Sequence, residues 1–205
     1  MVGHVNRTWI AVIGAVVALL VGGAIGWAIG ANTGGDHGSM NHGSMDHGAM
    51  GHGAASMDQQ EFLAMMVAHH QMAVDMSEAE LATGKDPKVK AIARTILADQ
   101  KREIAQMRSW YRARYGADVP AMDEQDAEMS GMLGMAGMTG EAVSGAKDPD
   151  EAFLRLMIPH HAGAILMADM VLNGAPDADV RTLAEGIIDA QSAEIAEMQQ
   201  LRSGG

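Results

Sequence analysis

The sequence predicts an all-α protein: an antiparallel four-helix bundle built from two duplicated αα-hairpins and preceded by one transmembrane helix. Three observations lead to this prediction. A charge-free stretch near the N-terminus is long enough to cross a membrane, and four later stretches have helical periodicity with capping residues at their ends. The second pair of these stretches repeats the first pair at a constant offset in the chain. No stretch shows the alternation of apolar and polar residues that a sheet would need.

The composition excludes several classes of site and partner. Cys is absent from the 205 residues, which excludes disulfides and thiolate metal sites. The formal net charge of -12 argues against a nucleic-acid partner, because binding to phosphate needs a basic surface. Met is frequent, with 19 residues against 3 Trp, 2 Tyr and 2 Phe. The core is therefore predicted to be aliphatic and rich in thioether sulfur.

Residues 1–33 are predicted to anchor the chain in the cell membrane. The stretch from Trp9 to Ile29 carries no charge, and at ~1.5 Å per residue a helix of this length covers about 30 Å. It is longer than the roughly 7 to 15 apolar residues of a cleavable signal peptide, so we predict an uncleaved single-pass anchor. Arg7 on the short N-terminal side favours a cytoplasmic N-terminus and an extracytoplasmic C-terminal domain. Cleavage of the segment would instead give a secreted protein.

Small residues occupy every fourth position along the predicted anchor and would share one helix face. They are Gly14, Ala18, Gly22, Gly26 and Gly30. This pattern can pair membrane helices, which makes a homodimer an alternative to a monomer, although Gly is common in membrane helices in any case.

A tract rich in His and Met follows at residues 34–57. Its five-residue frames match neither a helix nor a strand, and their glycines raise the cost of ordering, so we predict a flexible tract. Thioether sulfur and imidazole nitrogen together favour copper, with Cu(I) preferred and Cu(II) or Ag(I) as alternatives. A low-complexity linker with incidental His is the competing interpretation. The predicted metal ligands of the tract are His37, Met40, His42, Met45, His47, Met50, His52 and Met57.

Residues 58–205 are predicted to form the helical domain, with hairpins at 58–115 and 148–202. The four helices are expected from Asp58 to about Ala82, Pro87 to about Tyr115, Asp148 to about Leu172, and Asp177 to Leu201. The connector, residues 116–147, is rich in Met and Gly. Its sulfurs are either extra soft ligands or a lid over the core, and they belong to Met122, Met129, Met132, Met135 and Met138.

The two hairpins align without a gap at an offset of 91 residues. Polar side chains recur in both copies at positions that a plain bundle would fill with Leu. These are His69 and His160, Gln100 and Gln191, and Glu103 and Glu194. Because a buried carboxylate without a partner costs several kcal/mol, we expect the glutamates to pair with a buried group or to support a metal ligand.

Folding the first hairpin about Gly84 is expected to bring His69 level with Gln100 and Met66 level with Glu103. Each hairpin would then offer imidazole, thioether and carboxylate at one depth. An interior metal site and a hydrogen-bonded polar core without metal both fit this pattern. The adjacent His70 and His161 are expected to be either ligands or surface contacts. Pro159 is expected to bend the third helix.

At these residues the chain resembles the domain of unknown function 305 family, which includes CopM-type copper-binding proteins. The resemblance rests on MIPHHAGAILMADM, AEGIIDAQSAEIAEM and the sister copies MVAHHQMAVDM and ARTILADQKREIAQM. It implies a ferritin-like four-helix bundle outside the cytoplasm that binds copper through Met and His. The ligands it implies are Met66, His69, His70, Met76, Met107, Met157, His160, His161, Met167 and Met198. The first copy has Ala68 where the family usually has Pro, which weakens the inference for that copy.

The sequence therefore predicts an extracytoplasmic copper-binding protein, not an enzyme, that sequesters or transfers Cu(I) in copper homeostasis or resistance. Transfer would require a partner protein, which the sequence leaves unidentified. One alternative is a metal-free, Met-rich helical interaction module. A ferritin-like dimetal oxidase fits less well, because it needs Glu three residues before His on two helices, where this chain has Met66 and Met157.

Overall fold

The computed structural model describes residues 55–121, 131 and 136–204, and all regular secondary structure within them is helical. The helices are α1 (Gln59–Thr83), α2 (Pro87–Tyr115), α3 (Gly140–Ser144), α4 (Pro149–Asn173) and α5 (Ala178–Ser203). Helices α1 and α2 form one hairpin, α4 and α5 form the other, and α1 packs against α4. The all-α prediction is confirmed, and the four long helices end within two residues of the expected positions. The short α3 was not predicted as a separate helix.

Local capping explains why these boundaries could be located in the sequence. The side chain of Asp58 accepts a hydrogen bond from the backbone N–H of Glu61, and Asp86 accepts one from that of Lys88. Both bonds satisfy N–H groups of the first helical turn, which have no carbonyl partner within the helix. Gly116 ends α2 in the left-handed conformation, with φ of 68°, which costs glycine little.

Contacts at both ends show that α1 and α4 run antiparallel. Just before α1, the backbone N–H of Met57 donates to the carbonyl oxygen of Met170 near the end of α4, at 3.0 Å. Just after α1, the backbone N–H of Lys85 donates to the carboxylate of Asp150 at the start of α4, at 2.9 Å. The middle of α1 therefore lies beside the middle of α4.

The core is divided into two clusters of buried side chains. The first core cluster includes Phe62, Leu63 and Ile187, and the second includes Ile96, Phe153 and Leu154. Each cluster draws side chains from both hairpins, so the apolar burial that stabilises the domain also holds the hairpins together.

Several predicted segments lie outside the described residues. These are the anchor, the His/Met frames up to His52, and the connector sulfurs except that of Met138. Of the helices that the structure describes, none has the length and apolar character needed to cross a membrane. Helix α4 continues through Pro159, whose side chain is exposed.

Gly174, at the end of α4, lies against the backbone of Met57. A Cβ atom here would be 2.3 Å from the Met57 carbonyl oxygen, whereas the φ of −76° is open to any residue. We expect Gly174→Ala to lower the free energy of unfolding by about 1–3 kcal/mol, because either the segment before α1 or the end of α4 must move. Denaturant unfolding measures this change.

Gly186, on the exposed face of α5, is the matched control. A Cβ atom there meets nothing within 4 Å. Gly186→Ala should therefore stabilise the domain by about 0.5–1 kcal/mol through helix propensity. Similar changes in the free energy of unfolding for Gly174→Ala and Gly186→Ala would contradict a clash between a Cβ atom at position 174 and the Met57 backbone.

Candidate metal centre

Four imidazole rings form a row through the middle of the domain, where α1 crosses α4. Along the row, the centroids of His70 and His69 are 6.2 Å apart, those of His69 and His160 are 3.7 Å apart, and those of His160 and His161 are 6.2 Å apart. All four side chains are essentially inaccessible to solvent. The antiparallel packing of α1 and α4 brings the two His-His pairs together.

Each end of the row is held by a glutamate from the second helix of the same hairpin. The Nε2 atom of His70 lies 2.6 Å from Oε2 of Glu103, and that of His161 lies 2.8 Å from Oε2 of Glu194. Because a carboxylate only accepts, Nε2 carries a proton and donates it, and the glutamate does not engage the other ring nitrogen, Nδ1. Both Nδ1 atoms are buried and have no hydrogen-bond partner among the described residues.

The two central rings leave further nitrogen atoms without a partner. His160 donates through Nε2 to the backbone carbonyl of His69 at 3.1 Å, and its Nδ1 has no partner in the described part of the chain. Neither ring nitrogen of His69 has one. A buried polar atom without a hydrogen bond costs about 1–3 kcal/mol, so this concentration of such atoms needs an explanation beyond packing.

Burial also keeps the central rings uncharged. Desolvation lowers the pKa of His69 and of His160 well below the ordinary value of 6.5, and charge on the neighbouring histidines would lower it further. The neutral imidazole is the form that binds a metal ion. At neutral pH, His69 and His160 are therefore in the form that can bind a metal ion.

Six methionines that the 91-residue repeat relates to one another are divided between the two core clusters. The first core cluster contains Met66, Met107 and Met167, and the second contains Met157, Met198 and Met76. All six side chains are fully buried. The offset of 91 residues relates the two sets member by member. Each set takes two sulfurs from one hairpin and the third from the first helix of the other hairpin.

This arrangement gives each glutamate a defined partner. Glu103 contacts His70, the neighbour of His69 in α1, and Glu194 contacts His161, the neighbour of His160 in α4. The expected levels of Gln100 with His69 and of Glu103 with Met66 stay predictions.

The adjacent His70 and His161 are not surface contacts, because both are fully buried. Each methionine set also includes one sulfur from the other hairpin, Met167 in the first core cluster and Met76 in the second. The sequence predicted that Glu103 and Glu194 would accept a hydrogen bond from a histidine or support a metal ligand, but it did not identify the histidine. The partners lie 33 residues apart in both copies.

Gln100 and Gln191 are also buried, and each Oε1 has no partner among the described residues. Their predicted role in supporting ligands stays a prediction. Among residues 55–121, 131 and 136–204, no group of three or more His, Asp and Glu side chains is arranged to hold a metal ion. Methionine sulfur, a donor that selects Cu(I), is the other kind of soft donor buried in this part of the chain.

Known proteins match this chain in both sequence and structure. A family model described as Domain of unknown function (DUF305) matches residues 58–202. CopM in its Cu(I)-bound form is 35% identical, with a TM-score of 0.62, and the match covers 73% of this chain and 98% of CopM. CopM has also been solved in Cu(II)-bound and Ag-bound forms, at 34% and 35% identity, TM-scores of 0.63 and 0.61, and the same coverage.

Two further matches come from other organisms. A DUF305 fragment from Deinococcus radiodurans is 28% identical with a TM-score of 0.62, covering 72% of this chain and 97% of the fragment. Uncharacterized protein L153 of Acanthamoeba polyphaga mimivirus is 38% identical over 55 residues, which is 27% of this chain. The match spans only 36% of that viral protein. Because the family model covers most of the chain and both hairpins, the chain belongs to the DUF305 family, in agreement with the resemblance found in its sequence.

Proposed function

We propose that this chain is an extracytoplasmic copper-binding protein that sequesters Cu(I), or passes it on, in copper homeostasis or resistance. The observation that carries the proposal is the group of buried imidazole nitrogens that have no hydrogen-bond partner among the described residues, in a core that also buries six repeat-related thioethers. These donors are soft or borderline, uncharged and shielded from water, which suits a monovalent coinage-metal ion. The similarity to CopM, solved with Cu(I), Cu(II) and Ag, supports the same choice.

The glutamates orient the outer rings toward the interior. By accepting from Nε2, Glu103 and Glu194 leave the Nδ1 lone pairs of His70 and His161 directed away from the carboxylates. Such carboxylate–histidine pairs fix the tautomer of a metal ligand and increase its basicity. The two methionine sets would supply the sulfur donors, so we propose two related sites, one in each half of the domain.

The His/Met tract is proposed to capture copper before it enters the domain. Its last residue, Met57, is buried in the first core cluster and is bonded through its backbone to Met170. The tract therefore ends at one of the proposed sites. We further propose that residues 9–29 anchor the chain in the membrane, with the domain outside the cytoplasm. Pairing of anchors would give a homodimer.

A catalytic role is not proposed. A dimetal oxidase uses carboxylates that bridge or bind its metal ions, whereas Glu103 and Glu194 are each engaged by a histidine. A metal-free interaction module remains the rival function. Binding of Cu(I) distinguishes the copper-binding function from the metal-free module, because a module without a metal site would not remove Cu(I) from a chelator.

The test is a titration of the full chain with Cu(I) under reducing conditions, against a competing chromogenic chelator. We expect Glu103→Gln and Glu194→Gln, made together, to weaken binding about 10- to 100-fold, because the rings lose their orienting partner. Glu197→Gln, on the exposed face of α5, is the control for loss of charge and should bind as the unmodified protein does. Failure of the unmodified chain to bind Cu(I) would refute the proposal.

A second series separates the domain from the tract. Replacing Met66, Met107 and Met167 together with Leu preserves core volume while removing one set of sulfurs. We expect this variant to hold fewer Cu(I) ions than the unmodified chain. Replacing His37, His42, His47 and His52 together should reduce the stoichiometry independently. Unchanged stoichiometry in the methionine variant would refute the interior sites.

A further inference from the structure

A cavity of about 370 Å³ lies between α1 and the start of α3, outside the row of histidines. Two thioethers line it, from Met72 on α1 and from Met138 in the connector. The carboxylates of Asp75, Glu78 and Glu141 line it as well. The cavity is open to solvent on one side, so ions can reach it without any rearrangement of the helices.

The connector is fixed firmly against α1 at this point. Gly140 lies so close to α1 that a Cβ atom would be 2.9 Å from the carbonyl oxygen of Asp75. The hydroxyl of Thr139 accepts from the backbone N–H of Ala142 and caps α3. These contacts fix the backbone next to Met138 and so restrict the position of its sulfur.

Met138 connects the cavity to the interior. Its side chain is only 5% exposed and belongs to the second core cluster, together with Met76, Met157 and Met198. Met72 is partly buried and packs against the same cluster. The cavity is therefore a continuation of one of the proposed sulfur sets toward the surface.

The sulfurs give the cavity its preference for a soft ion. One oxygen of Glu78 is paired with Lys101 at 2.7 Å, and one oxygen of Asp75 accepts a hydrogen bond from Gln71 at 2.9 Å. Together with Glu141, these acids lower the local potential and attract cations. Two thioethers in a cation-attracting cavity are suited to a soft monovalent ion.

We infer that Met72 and Met138 form an outer soft-metal site for Cu(I) or Ag(I), adjoining the second core cluster. The inference rests on the proposed function for the identity of the ion. The site has no counterpart in the other half of the domain, because the residue equivalent to Met72 at the offset of 91 is Gly163. The metal capacity of the two halves is therefore unequal.

The test uses the full chain labelled with ¹³C at the methionine methyl groups and titrated with Ag(I), a closed-shell ion like Cu(I). We expect the methyl resonances of Met72 and Met138 to shift together. In Met138→Leu, which preserves volume, the shift of Met72 should be lost while those of Met66 and Met107 remain. Met170→Leu, outside the cavity, is the control and should leave the Met72 shift intact.

Each result separates this inference from the proposed function. Shifts confined to the core methionines would overturn the outer site and leave the interior sites standing. The absence of any methyl shift would overturn both. If Met138→Leu does not fold, the two resonances in the unmodified chain decide the question, since an outer site requires both to move at the same Ag(I) concentrations.

Discussion

Lowering the pH below 6.5 is expected to destabilise the metal-free protein steeply, through His69 and His160. Burial lowers the pKa of both rings well below 6.5, so the folded protein keeps them neutral while the unfolded chain takes up protons below that pH. When the unfolded state binds more protons, the free energy of unfolding falls as the pH falls. Each ring contributes up to about 1.4 kcal/mol per pH unit, so the pair contributes up to about 2.7 kcal/mol per unit.

Denaturant unfolding between pH 5 and 6.5, in the presence of a chelator, measures this slope. His69→Leu should lower this slope by up to about 1.4 kcal/mol per pH unit, because one of the two rings no longer titrates. The same variant should be close to the unmodified protein in stability at pH 7, since the His69 ring makes no hydrogen bond among the described residues. Met76→Leu, a core change without an ionisable group, should keep the full slope. An unchanged slope in His69→Leu would contradict the buried neutral imidazole.

Raising the pH from 6.5 to 8 is expected to lower stability again, through Glu80 at the end of α1. This side chain is fully buried, and its carboxyl group lies against Gly84, where a Cβ atom would be 1.9 Å from its Oε1. Burial, followed by the charge of Asp150, raises the pKa of Glu80 from 4.5 to about 8. Asp150 remains ionised, because backbone hydrogen bonds from Lys85 and Asp86 outweigh burial and lower its pKa.

The direction of the effect follows from proton binding. Between pH 4.5 and about 8 the folded state retains a proton on Glu80 that the unfolded chain releases, so the free energy of unfolding falls as the pH rises. The fall should be about 1.4 kcal/mol per pH unit, or about 2 kcal/mol between pH 6.5 and 8. The two histidines outweigh Glu80 below pH 6.5, and Glu80 acts alone above it. The free energy of unfolding is therefore expected to be highest near pH 6.5.

Glu80→Gln tests the assignment, because an amide keeps the shape of the protonated carboxyl group and does not titrate. The variant should lose the decline above pH 6.5 and show a steeper decline below it, because the opposing contribution of Glu80 is removed. Met76→Leu should retain both. A decline above pH 6.5 that persists unchanged in Glu80→Gln would show that another group is responsible.

The sequence was most informative where structure depends on neighbouring residues. Asp58, Asp86 and Gly116 marked helix ends because capping needs only a side chain and the adjacent backbone. The offset of 91 residues identified two matching hairpins, and the structure repeats the His–Glu contact in both at a spacing of 33. The family was recognisable from the same motifs.

The candidate site was predictable in its donors and not in its arrangement. Periodicity put His69, Met66 and Met76 on one face of α1, and all three are buried. It did not show that Met76 would join Met157 and Met198, because that grouping depends on how α1 crosses α4. The sequence predicted a histidine partner for Glu103 but left open which one, because two adjacent histidines are available and the packing of the helices selects between them.

By itself, the sequence determined the helical class, the helix boundaries, the internal repeat and the presence of many soft donors in a chain without cysteine. These properties follow from local backbone chemistry and from composition. Only the tertiary structure decided that four imidazoles form one buried row, that each outer ring is held by a glutamate, and that the sulfurs divide into two sets drawn from both hairpins. Such groupings depend on the packing of helices far apart in the chain, where side-chain shape and the antiparallel crossing of α1 and α4 set which atoms meet.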